Sequence, residues 1–189
     1  MPSIEQSILD RIQPVVLVGG QSTRFGRDKL VEPVAGSLMV AAPINALREV
    51  FGGRVAVVGR CDARVQELAD LVIEDPYPGL GPVGGICAAL QHARTDLFVC
   101  AGDLISIDQS TIESVVSASV SVPDALACLA QTDRLHPTVG IYRSGCVSLF
   151  EDAIVENTLK LGMVLDQESM HRVPVNPVAV RNINHASEL

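Results

Sequence analysis

Tryptophan is missing from this 189-residue chain, and aromatic residues of all kinds make up only 3% of it. A core built from it must therefore rest on aliphatic side chains. No apolar run reaches the roughly 18 residues that span a bilayer, so no membrane-crossing helix is expected. The N-terminal stretch MPSIEQSILDRIQ lacks a basic flank followed by an apolar segment and lacks a small-residue cleavage pattern. It does not read as an export signal, and a cytoplasmic protein is expected. The five cysteines, Cys61, Cys87, Cys100, Cys128 and Cys146, form no CxxC pair, which argues against a zinc knuckle or a redox dithiol and for buried thiols acting as small hydrophobes. Positive charge is scarce as well. Fourteen Lys and Arg face 22 Asp and Glu, for a net charge of −8, a balance that excludes nonspecific attraction to nucleic acid or to anionic membrane.

Against that background the stretch LVGGQSTRFGRDKL, Leu17 to Leu30, stands out by carrying Arg24, Arg27 and Lys29 behind the apolar run Pro14 to Val18. Short β-branched runs alternate with helix-like segments throughout, the pattern of βαβ units on a mostly parallel sheet. Strands are expected at Val15 to Val18, Arg54 to Val58, Leu71 to Glu74, Leu97 to Ala101, Ala125 to Gln131, Thr138 to Tyr142 and Val178 to Asn182. Helices are expected at Leu38 to Val50, Ala63 to Asp70, Gly84 to Ala93, Gln109 to Ser119, Gly145 to Ile154 and Leu159 to Asp166. No repeat or linker interrupts them, so residues 1–189 read as a single three-layer α/β/α domain. In such sheets ligands gather beyond the carboxyl ends of the strands, which directs attention to the following loops.

Gly19 and Gly20 let backbone N–H groups approach phosphate oxygens closely, and Arg24 and Lys29 would add charge-assisted bonds. The pattern is neither a Walker A loop nor GxGxxG. Asp103, just past the apolar run Leu97 to Ala101, is placed to face the same crevice and hold Mg²⁺, while Asp108 is the better helix cap. The proline- and glycine-rich stretch Ile73 to Ile86 makes a stiff loop in which Gly84-Gly85 is expected at a helix start. Asp75 there either accepts from a base or ribose or simply forms a turn before Pro76. His136 precedes a strand, and Asn182 and Asn184 fall on one face of an extended segment.

Together these residues resemble one family. Leu17-Val18-Gly19-Gly20, Ser22, Arg24, Phe25-Gly26 and Asp28-Lys29 are similar to the LxGGxSxRxGxDK signature of molybdenum cofactor guanylyltransferases, the MobA family. The likeness continues through Ile73-Glu74-Asp75, Pro82-Val83-Gly84-Gly85, Asp103, His136-Pro137-Thr138 and Asn182-Ile183-Asn184. It implies a Rossmann-like nucleotidyltransferase fold and transfer of GMP from GTP to the phosphate of molybdenum-molybdopterin, with release of pyrophosphate. It also implies nucleotide contacts from Leu17, Val18, Gly19, Gly20, Lys29, Asp75 and Asp103, and Mg²⁺ on Asp103. Asp103, Lys29 and Arg24 become the catalytic group, with His136, Asn182 and Asn184 toward the pterin. Partners implied are GTP and a molybdopterin-type cofactor as substrates, molybdopterin-synthesis proteins and acceptor molybdoenzymes, with neither nucleic acid nor membrane.

The chain departs from the family where Val58 stands for a frequent Asn, where Gly102-Asp103-Leu104-Ile105 lacks the usual proline, and where it stops at Leu189, short of the relatives' terminal helix. The alternatives left open are a small nucleotidyltransferase using CTP or another acceptor, and an inactive nucleotide-binding relative acting as an interaction module. LVGG instead of LAAG speaks against the cytidylyltransferases.

Overall fold

The computed structural model describes residues 4–19 and 29–182. After a short helix α1 (Gln6–Leu9), the strand β1 (Ile12–Leu17) enters the centre of a seven-stranded sheet whose order is β5-β4-β1-β6-β8-β7-β9. Its partners are β4 (Ala56–Val58), β5 (Leu71–Ile73), β6 (Asp96–Ala101), β7 (Ala127–Gln131), β8 (Leu135–Tyr142) and β9 (Met170–Pro174). Only β8 runs against the rest, antiparallel to both β6 and β7. The carboxyl ends of six strands and the amino end of β8 therefore share one edge.

Alternation along the central strands sends side chains to two cores. Val16, Phe98, Cys100 and Ile141 face the helices α2 (Ala41–Phe51) and α5 (Gln109–Ser121), with α3 (Ala63–Leu68) alongside. Val15, Leu97, Val99 and Tyr142 face α4 (Gly81–Ala93) and α6 (Val147–Val155). Burial on both faces is why these strands read as continuous apolar runs instead of alternating ones. Four of the six aromatics are buried in the core: Phe51 meets Phe98 and Tyr142 meets Phe150 edge-on, each pair with ring centroids 5.6 Å apart. Cys87, Cys100, Cys128 and Cys146 are buried, and desolvation pushes their thiols up, so they act as hydrophobes, as expected. Among the described residues no helix is long and apolar enough to cross a membrane.

Four sequence expectations are corrected. The segment Val178 to Asn182 is not a strand: 177–180 form a turn closed by the Ala179 N–H on the Asn176 carbonyl, and the last strand is β9 instead. Leu159 to Asp166 yields only a 3₁₀ turn, Leu161–Met163, because Gly162 interrupts the apolar spacing. Leu38 belongs to a small hairpin of β2 (Pro33–Val34) and β3 (Ser37–Leu38), so α2 starts at Ala41. Finally, α4 begins at Gly81 with Pro82 in its first turn, which places Gly84-Gly85 inside the helix. Their role is close packing: a Cβ on Gly85 would lie 3.3 Å from Leu17 Cδ2, and one on Gly84 would lie 2.9 Å from Tyr77 Cβ.

Asp108 caps α5 as expected, its Oδ1 accepting from the Thr111 N–H at 2.8 Å. Burial would raise its carboxyl, but the Thr111 and Ser110 bonds outweigh that and hold it below the ordinary range. Asp108→Ala is expected to cost about 1 kcal/mol of stability in a urea titration at neutral pH. Because the folded-state value is depressed, this contribution is complete above the unfolded value of about 3.9 and is lost as pH falls through the folded one. The gap between wild type and variant should therefore close in acid. A gap that persists there would assign the effect to helix propensity instead.

Candidate active site

The site grows from two neighbouring strands. Leu17 ends β1 opposite Ala101 of β6, and the Gly102 N–H donates to the Leu17 carbonyl at 3.1 Å, so the chains leaving β1 and β6 diverge from a common point. On the other side, the Val18 N–H donates to the Val58 carbonyl at 3.0 Å and extends the β1–β4 pairing by one step. Gly19 follows, pressed against Gly59. A Cβ on Gly59 would lie 2.5 Å from the Gly19 nitrogen, and Gly59 holds a φ of +112°, which only glycine adopts without strain. Gly102 is equally confined: a Cβ there would meet Leu17 O and Leu30 Cδ2 at 3.1 Å.

Leu30 is buried in the core and anchors the 3₁₀ turn Lys29–Val31, which points Lys29 back across the mouth. The Lys29 Nζ donates to Asp103 Oδ2 at 2.5 Å, joining residues 74 apart in the chain. Asp103 is only 8% exposed. Its loop is held by two apolar anchors, Leu104 and Ile107, and by the Asp108 cap.

Asp75 and His136 sit along the same edge at greater remove. Asp75 follows β5, and its Oδ1 accepts from the Tyr77 N–H at 2.8 Å, so the turn-forming role weighed for it is real, while Oδ2 takes no hydrogen bond among the described residues. His136 lies within β8, paired across to Ala130, instead of preceding a strand. Its Nε2 is 2.8 Å from Thr132 Oγ1, and burial, then the Arg134 charge, lower its pKa, with Asp133 opposing, so the ring is neutral near pH 7. Asn182 is the last described residue of the C-terminal segment. Gly20, Arg24 and Asn184 lie outside the described residues.

Val58, where a polar nucleotide contact was sought, is buried under α4 and offers none. Two charged residues escaped the sequence reading. Glu32 is 7% exposed, and a carboxylate among Leu30, Val31 and Pro33 was its only signal. Arg60 follows the Gly59 contact, and nothing in its local sequence marks it.

As for a metal, the chemistry of the donors fits Mg²⁺. Asp103 supplies one hard carboxylate at the mouth, and no cluster of three or more His, Cys, Asp or Glu occurs among the described residues. Mg²⁺ suits such a site, since it retains waters and completes its shell with substrate phosphates.

A closely packed glycine past the end of the first strand and a lysine paired with a carboxylate that follows the adjacent strand suit a nucleotidyltransferase. Comparison with known proteins agrees and narrows the class. The MobA-like NTP transferase domain matches residues 14–172, and the chain belongs to that family. A probable molybdenum cofactor guanylyltransferase of Mycobacterium marinum is 30% identical over 185 residues, covering 93% of this chain and 90% of the relative. In structure, a protein of Aquifex aeolicus aligns with a TM-score of 0.78 at 24% identity, covering 93% of this chain and 94% of its own. Molybdopterin-guanine dinucleotide biosynthesis protein A of Archaeoglobus fulgidus aligns with a TM-score of 0.74 at 22% identity over 93% of each chain. These two establish the fold.

Proposed function

We propose that the protein transfers GMP from GTP to the terminal phosphate of molybdenum-bearing molybdopterin, forming the guanine dinucleotide cofactor and releasing pyrophosphate. The observation that carries this is the Lys29–Asp103 pair at the divergence of β1 and β6, in a chain whose relatives include a probable molybdenum cofactor guanylyltransferase. An acceptor phosphate oxygen forms a bond to the α-phosphorus, and the bond from that phosphorus to the bridging oxygen breaks in line with it. Pyrophosphate leaves with the bonding electrons. No general base is needed, because the attacking phosphate is already an anion near pH 7.

Leu17, Val18, Gly19 and Gly20 bring the backbone against the nucleotide, and Asp75 contacts it from β5. Lys29 and Arg24 hold the leaving phosphates and offset the negative charge that develops on them. Asp103 holds Mg²⁺, which supplies charge neutralisation across the phosphates when bound. Lys29 is paired with Asp103 in the structure, so loading of the nucleotide exchanges one anionic partner of the ammonium for another. His136, Asn182 and Asn184 lie toward the acceptor, and the neutral ring of His136 orients by hydrogen bonding without adding charge.

GTP with Mg²⁺ is expected to raise the melting temperature by mass action on the folded state, and CTP much less. Turnover of GTP, CTP, ATP and UTP with molybdenum-loaded molybdopterin then tests the reaction itself. Equal stabilisation by GTP and CTP would remove the guanylyl assignment, and binding without pyrophosphate release would leave an interaction module.

A further inference from the structure

We infer that Arg60 reads the guanine base, donating its guanidinium fork to O6 and N7 beside the Asp75 carboxylate; this rests on the GTP reading above. Three independent features of the chain converge on it. The first is register. β4 and β5 pair in parallel with Val58 opposite Ile73, and Arg60 and Asp75 each lie two residues beyond that pair. A donor and an acceptor thus leave adjacent strands at the same height on the ligand-bearing edge.

The second is the Gly19–Gly59 contact. The backbone N–H of Arg60 comes so near that a Cβ on Gly19 would lie 3.5 Å from it, and this is possible only because both glycines lack side chains. Arg60 is thereby tied to the start of the nucleotide loop, on the side of β1 away from Asp103. The third is its lack of other employment. In a chain of charge −8, Arg48, Arg54, Arg64 and Arg143 are committed to carboxylates; Arg11, Arg94, Arg134, Arg172 and Arg181 form no ion pair among the described residues, but none of them shares the register of Asp75. The exposed Arg60 side chain makes no hydrogen bond or ion pair among the described residues, and neither does Asp75 Oδ2.

The chemistry of the pair selects one base. Guanine presents two adjacent acceptors, O6 and N7, to a planar fork, and its N1–H and 2-amino donors to a carboxylate. Adenine and cytosine both put an amino donor where guanine has O6, which would set donor against donor at Arg60. Val58 thus leaves no gap in recognition, because the polar contact arrives two residues later from the same strand.

The test is calorimetric titration of the full chain and its R60A variant with the Mg²⁺ complexes of GTP, 7-deaza-GTP, ATP and CTP, with R11A at the opposite edge of the sheet as control. Wild type should bind GTP best and lose about tenfold on replacement of N7. R60A should bind GTP about five- to a hundredfold more weakly and should bind GTP and 7-deaza-GTP alike. R11A should match wild type. The GTP to 7-deaza-GTP ratio is taken within one protein, so it is independent of any loss of stability in the variant. Equal weakening of all four nucleotides in R60A would overturn the inference by making Arg60 a phosphate contact while leaving the GTP reading intact. An unchanged ratio between the two guanine nucleotides would overturn it too. A wild type that prefers CTP or ATP would remove the GTP reading first, and the Arg60 assignment with it.

Discussion

Turnover by Asp103→Asn is expected to fall about 10²- to 10³-fold, the scale on which removal of one preorganised electrostatic contact acts in an active site. The substitution keeps the size and planarity of the side chain and deletes its charge, so the mouth between β1 and β6 keeps its shape but loses the anionic carboxylate suited to Mg²⁺. Folding should survive. Lys29, the ion-pair partner, has a side chain 22% exposed, and the substituted amide can still accept a hydrogen bond from it, so the chain should still melt cooperatively. Steady-state pyrophosphate release paired with thermal melting checks both halves. Near-normal turnover in the variant would place the metal elsewhere.

Lys29→Ala is expected to lower kcat/KM for GTP about ten- to a hundredfold, as loss of a charge-assisted bond to phosphate should. Lys29→Arg should recover only part of that. The ammonium is a compact point charge, held by a turn whose Leu30 is locked into the core, and a planar fork on a longer stem does not occupy the same point. Removing Lys29 also frees Asp103 of its partner at 2.5 Å. Mn²⁺ affinity measured without nucleotide should therefore rise in Lys29→Ala even as catalysis falls. Wild-type kinetics in both variants would make Lys29 a solvated lysine and the loop an ordinary βα turn.

The central strands were legible because burial on both faces writes them as unbroken apolar runs, Val15 to Val18 and Leu97 to Val99 among them. The edge strand β9 carries no such mark. It spells Met-His-Arg-Val-Pro with only Met170 and Val173 buried, so its exposed His171 and Arg172 and its proline hide a strand made by pairing with β7. Val178, Ala179 and Val180 look like a strand by composition, yet Val178 is exposed and the other two are buried through a turn. In the site, Lys29 and Asp103 could be named from residue type and position, and their meeting agrees with the crevice expected at the strand ends. Arg60 could not be named that way. Its proximity to Asp75 is a property of β4–β5 register, and its proximity to the first loop depends on a contact between two glycines 40 residues apart in number.

The reversed strand β8 divides the labour of the chain. Everything on the β1, β4 and β5 side of the ligand-bearing edge is built from sequence ahead of Asp103, and everything on the β7, β8 and β9 side from sequence behind it. The two halves meet in the sheet where β6 pairs with β8, and in the layers where α2 packs on α5 and α4 on α6. Substitutions in the loops of one half, away from these packed helices, should combine additively with loop substitutions in the other. On the proposed function such a layout is evolvable: loops of the later half could be rewritten for a new acceptor while the earlier half, assigned to the nucleotide, is inherited unaltered.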